Sequence, residues 1–180
     1  MIFGVLVAGC LLWVALSENV KRSRQADVEG ANANQAKQAE ELRAALARDS
    51  TNIDAHVALG NILYDTANWG EAIVHYKAAL ARDPSRVPVL VDLGVCYYNS
   101  SVADSALTYF QRALALDPHH PVAHFNMGVI YENRHQWKDA LSQYHLALEA
   151  DPTDDLKQSV IAAMERVQQA SGTSAPPLPN

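Results

Sequence analysis

At 180 residues and 49% hydrophobic composition, the chain can bury one domain core but is too short for two ordinary domains with linkers. A net charge of −6 excludes a nucleic-acid binder, which needs a basic face to displace phosphate counterions. The surplus lies within residues 53–154, which hold 12 acidic and 6 basic side chains, so any electrostatic partner of that region is neutral or basic.

Residues 2–16, IFGVLVAGCLLWVAL, contain no polar side chain. Fifteen helical residues span about 22 Å against a hydrocarbon core of about 30 Å. Spanning therefore requires extension through Val20, with thinning or snorkelling at the ends. Lys21, Arg22 and Arg24 follow at once, as after a stop-transfer segment, and favour an uncleaved single-pass anchor over residues 1–20. Two alternatives stay open. A cleaved signal peptide ending at Ala15-Leu16-Ser17 would lack its basic n-region, and lipidation of Cys10 after Val7-Ala8-Gly9 would ordinarily be followed by polar sequence. The positive flank favours the cytoplasm over the periplasm for the rest of the chain and leaves both sides open. The only cysteines are Cys10 and Cys96, so no disulfide framework or CxxC metal site is expected.

Residues 21–34 are polar and read as a tether. In 35–52, Ala39, Leu42, Ala45 and Leu46 recur at helical spacing. The stretch LARDS at 46–50 then returns as LARDP at 80–84, LALDP at 114–118 and LEADP at 148–152, each 34 residues after the last. A leucine that packs inward, an aspartate that closes a turn and a proline that forbids continuation mark the end of a helix.

With repeats set at 53–86, 87–120 and 121–154, Leu59-Gly60, Leu93-Gly94 and Met127-Gly128 occupy the seventh and eighth places. Ala72, Ala106 and Ala140 hold the twentieth, Tyr76, Phe110 and Tyr144 the twenty-fourth, and Ala79, Ala113 and Ala147 the twenty-seventh. Apolar residues recur at helical spacing in two blocks per repeat, interrupted in the first copy at DTANWGE. Each repeat is thus an antiparallel helix pair. The glycines fall mid-helix, where glycine costs about 1 kcal/mol relative to alanine, which points to close approach of a neighbour. One pair cannot bury its apolar face alone, so the copies must stack.

These columns resemble the tetratricopeptide repeat, a 34-residue helix–turn–helix unit. The resemblance implies an all-α protein, a right-handed α-solenoid of three repeats with a preceding helix and a C-terminal capping helix. The fourth place, often tryptophan in the family, holds His56, Leu90 and His124. Residues 155–170 carry Leu156, Val160, Ile161, Met164 and Val167 on one stripe, as a solvating cap requires. The tail 171–180 is expected to be disordered.

The family lines a concave groove with its first helices. By that resemblance the groove residues are Asp54, Val57, Asn61, Tyr64 and Asp65; then Pro88, Val91, Val95, Tyr98 and Asn99; then Val122, Phe125, Val129, Glu132 and Asn133. This set is apolar and aromatic with amide and acidic edges and no Lys or Arg. It lacks the basic residues with which some members clamp a C-terminal carboxylate. The expected ligand is an apolar or basic-apolar segment of a partner protein, with a basic residue near Asp54, Asp65 or Glu132.

No nucleophile motif, phosphate loop or carboxylate pair suggests an enzyme, and no cofactor is expected. His119, His120, His124 and His135 cluster in sequence, but they read as turn and packing residues rather than as metal ligands, and Cys96 reads as a packed thiol. The functional expectation is a membrane-anchored interaction scaffold resembling bacterial assembly factors, at the bacterial inner membrane. The alternatives are an exported periplasmic adaptor and a self-assembling structural array.

Overall fold

The computed structural model describes residues 33–172, and all of the described regular structure is helical. Two units are distinguished, one ending at Arg48 and the other starting at Asp49.

In the first unit, residues 33–48 form helix α1. Its covered positions, Ala39 and Leu46, belong to the apolar stripe. Its exposed face carries the ion pairs Lys37–Glu41 and Arg43–Glu40 at 3.9 and 2.7 Å, spacings that align side chains on a helix surface.

The described residues of the second unit form seven helices: α2 (Ile53–Asp65), α3 (Trp69–Arg82), α4 (Val87–Asn99), α5 (Ala103–Leu116), α6 (Pro121–Asn133), α7 (Trp137–Glu149) and α8 (Asp154–Ser171). Successive helices pack together, most densely within α2–α3, α4–α5 and α6–α7. The 34-residue beat is a stack of helix pairs. The helices start where donors are satisfied or removed: Asn52 accepts from the Ala55 N–H at 2.9 Å, and Pro88 and Pro121 occupy first-turn positions.

Asp83 follows α3, and its Oδ1 accepts from Ser85 Oγ at 2.7 Å and from the Ser85 amide at 3.2 Å. These bonds hold its carboxyl below the usual carboxylate range. Asp49 does the same with Thr51. The aspartate of the repeated pentapeptide is thus a turn-forming side chain. Within each pair the chain reverses through a left-handed residue, Ala67, Ser101 or His135, with φ of 57°, 63° and 56°. These are again 34 apart.

Tyr76, Phe110 and Tyr144 are fully buried, as are Ala72, Ala106 and Ala140. A Cβ built on Gly60 would meet Tyr76 Cε1 at 2.6 Å, and one on Gly94 would meet Phe110 Cε1 at 2.5 Å; Gly128 faces Tyr144 in the same way. The mid-helix glycines exist because a ring sits where a methyl group would be. Beyond α7, Val160, Ala163, Met164 and Val167 of α8 close the core against Tyr144 and Ala147.

One expectation requires correction. Among the described residues no helix is long and apolar enough to cross a membrane, which overturns the single-pass membrane localisation inferred from sequence. The apolar run 2–16 that prompted it, with Cys10 and most of the tether, lies outside the described residues, as does 173–180.

Candidate functional site

The helix stack is asymmetric. First helices touch the next first helix, α2 with α4, α4 with α6 and α6 with α8, whereas α3, α5 and α7 do not touch one another. The first helices therefore lie on the crowded, inner side.

That side is aromatic and aliphatic, and its residues divide into three kinds. Val57, Tyr64, Val95, Tyr98, Phe125 and Val129 are half-buried. Val122, Asp54, Asn61, Asp65, Asn99 and Asn133 are exposed. Val91, expected in the groove, is only 4% exposed; it belongs to α4, the middle helix, flanked on both sides by first helices. Phe125 and Val129 also pack against the core, with the Phe125 and Tyr144 rings 5.8 Å apart. Between α2 and the start of α4, Val57, Ser85, Arg86, Val87, Pro88 and Val89 line an open pocket of about 550 Å³.

The polar groups are tied from one first helix to the next across roughly one repeat. Arg86 Nη1 donates to Asp54 Oδ1 at 2.9 Å and Arg86 Nε to Asp83 at 3.0 Å. Asn133 Nδ2 donates to the Tyr98 hydroxyl at 2.6 Å. Arg166 of α8 donates to both oxygens of Glu132, at 3.1 and 3.2 Å, and the buried Tyr144 hydroxyl donates to the same carboxylate at 2.6 Å. Tyr76 donates to Asn61 at 2.9 Å.

Two of the three carboxylates expected to receive a partner's basic residue, Asp54 and Glu132, thus already face the chain's own arginines. Arg86 and Arg166 were missed because Arg86 closes a repeat and Arg166 lies in the capping helix beyond the last one. Arg166 nevertheless lies 34 residues after Glu132, one beat beyond the last repeat.

The third, Asp65, has a neighbour that sequence reasoning did not select. Asp92, on α4, is half-buried, and burial pushes its carboxyl up to about 6, with the Asp65 charge adding to the effect. Burial also pushes the nearby Cys96 thiol up to about 12 and raises the Tyr64 hydroxyl. Cys96 is fully buried, as a packing thiol should be.

The histidines are absorbed by the fold. His120 caps α6, accepting from the Ala123 amide at 3.3 Å. His124 is 7% exposed, its Nε2 3.0 Å from the Pro118 carbonyl and its Nδ1 2.8 Å from the Gln143 side chain. His135 packs edge-on against Trp137. Among the described residues no group of three His, Cys, Asp or Glu side chains could hold a metal ion.

Profiles described as tetratricopeptide repeat match residues 25–87, 57–121 and 103–164, well over half of the chain. The chain belongs to the tetratricopeptide repeat family. The first of these matches starts inside the stretch read as a tether. The solved structures similar to this tetratricopeptide protein include MamA, at 19% identity and a TM-score of 0.69, covering 74% of this chain and 77% of that one. A second MamA structure, MSR-1 C2, is 24% identical with a TM-score of 0.62, covering 66% and 68%. The Yersinia enterocolitica type III secretion chaperone SycD, solved with a peptide of the translocator YopD, is 17% identical with a TM-score of 0.62, covering 66% and 93%. These likenesses establish the fold. No curated protein matches the sequence. The repeats make the chain a protein–protein interaction scaffold.

Proposed function

We propose that the inner face of the first helices holds an apolar or basic-apolar segment of a partner protein. The observation that carries this reading is the cavity between α2 and α4, where Val57 and Pro88 converge on aliphatic walls. The half-buried Tyr64, Val95 and Tyr98 continue it along the same face. Aromatic rings that are partly exposed and anchored at one end supply contact area at low entropic cost. The SycD complex is a tetratricopeptide-like neighbour seen with a peptide, which supports a peptide as the occupant class.

Replacing Tyr98 and Phe125 by alanine together should weaken partner capture while circular dichroism retains its helical signal. Because Phe125 also packs on the core, Tyr98→Ala alone serves as the second variant. Capture unchanged in both variants would remove the groove from the account.

A further inference from the structure

The first and third repeats join their two helices through a histidine bridge that the second repeat lacks. In the third, His124 Nε2 lies 3.0 Å from the Pro118 carbonyl and Nδ1 lies 2.8 Å from Oε1 of Gln143 on α7. In the first, His56 Nε2 lies 3.2 Å from the Ser50 carbonyl, and Nδ1 lies 2.9 Å from Nδ1 of His75 on α3. The His56 and His75 rings are 5.2 Å apart, tilted by 38°. The second repeat places Leu90 and Tyr109 at these positions, with Leu90 fully buried.

Glutamine and histidine differ here in how many protons the bridge can hold. A side-chain amide can turn its oxygen or its NH2 towards the ring, so His124 is satisfied whether neutral or charged. Two imidazole nitrogens facing each other at 2.9 Å hold one hydrogen between them. The Ser50 carbonyl only accepts, so His56 Nε2 carries a hydrogen. Neutral His56 then presents a bare Nδ1, and His75 Nδ1–H donates to it. His75 Nε2 is 4.0 Å from Glu71 Oε1, so one extra proton on His75 meets a carboxylate. A further proton, on His56, sets two N–H groups and two positive charges against each other.

The surrounding charged groups do not relieve that conflict. Glu71 also accepts from Asn68 Nδ2 at 3.1 Å. On α2, Asp54 is paired with Arg86, and Asp65 stands in the last turn at the far end of the helix. Before α2, Asp49 is bonded to Thr51 and faces Arg82 of α3. Lys77 of α3 is exposed. On α4, Asp92 and Cys96 act on Tyr64 and Tyr76.

We infer that the His56–His75 pair is an acid-sensitive latch on the first repeat, which holds α2 to α3 while the rings share at most one extra proton and opens when both are protonated. The latch does not depend on what the groove holds. An unfolded chain takes up one proton on each imidazole below about pH 6.5, whereas the closed pair takes up one in all. The unfolded state then binds more protons, so the latch's contribution to stability falls as pH falls through that range. The titration belongs to the pair rather than to either ring. It opposes the effect of Asp92, whose raised carboxyl takes up its proton in the folded state first.

The test compares the full chain with His75→Gln, which gives the first repeat the arrangement of the third. Urea denaturation is followed at pH 7.5, 6 and 5. Asp92 and the other histidines are common to both proteins and cancel in the difference. Relative to the variant, the parent's unfolding equilibrium constant should rise about fivefold to tenfold between pH 6 and pH 5. Long-range proton–nitrogen NMR of the parent gives a second readout that needs no variant to fold. At pH 7.5 His56 should carry its hydrogen on Nε2, and at pH 5 the closed pair should hold one proton fewer than two separate imidazoles. Parallel stability profiles for parent and variant would overturn the inference. So would two fully protonated rings in a folded chain whose α2–α3 contact is intact.

Discussion

Gly94 and Phe110 are in such close contact that a methyl group on Gly94 would lie 2.5 Å from Phe110 Cε1. The ring has no room to retreat, being fully buried in the helix stack. The same arrangement recurs at Gly60–Tyr76 and Gly128–Tyr144, so one contact is used three times at the period of the sequence. Gly94→Ala sets a helix-propensity gain of about 1 kcal/mol against an overpacking cost of typically 1–3 kcal/mol. Because the atom it meets belongs to a confined ring, the cost wins. Urea denaturation should show Gly94→Ala less stable than the parent, whereas Gly70→Ala, with nothing within 4 Å of the added carbon, should be neutral or more stable by up to about 1 kcal/mol.

Asp92 carries a pH signature of opposite sign to that of a salt-bridged carboxylate. Its folded-state pKa of about 6 lies above the unfolded value. The folded state therefore binds more protons between about pH 4 and 6, and stability falls as pH rises through that window. At neutral pH the ionised group costs on the order of 3 kcal/mol before solvent screening reduces it. Asp92→Asn should raise the melting temperature at pH 7 and flatten the stability profile between pH 4 and 6. A variant with the parent's profile would show that Asp92 is not the desolvated group described above.

The last repeat is locked differently. Glu132 is 18% exposed and accepts from both Arg166 and the buried Tyr144 hydroxyl. Glu132→Ala strands that hydroxyl and should cost about 1–3 kcal/mol. Arg166→Ala leaves the Tyr144–Glu132 bond in place and removes a half-exposed arginine, for a loss of at most about 1 kcal/mol. Chemical denaturation of the two variants should show this order, and limited proteolysis should cut near α8 sooner in both.

Much of this structure is legible in the sequence because the same physical contact repeats. Glycine against ring, buried alanine and aspartate closing a turn each leave a column at 34 residues. The groove is harder to read, because its residues are not held to one type. Val91 stands at the same repeat place as the half-buried Val57 and Phe125, yet it is withdrawn from the surface. Arg86 and Arg166 change the charge of the groove from outside the first helices of the three repeats. Asp92 escapes notice because its importance is environmental: an aspartate in a helical pattern reads as solvated until burial and Asp65 are seen beside it. The N-terminal apolar run shows the opposite error, in which a composition signal was carried further than the described helices support.

The central claim is that partners enter along the first helices, and site-specific photocrosslinking tests it most directly. A benzophenone amino acid is placed at Tyr98 on the inner face, or at Val74, which is 61% exposed on the second helix of the first repeat. Irradiation with a decapeptide selected against the full chain from a displayed random library, followed by mass spectrometry, should give adducts from position 98 and essentially none from position 74. Equal labelling at both positions, or labelling from Val74 alone, would contradict the account.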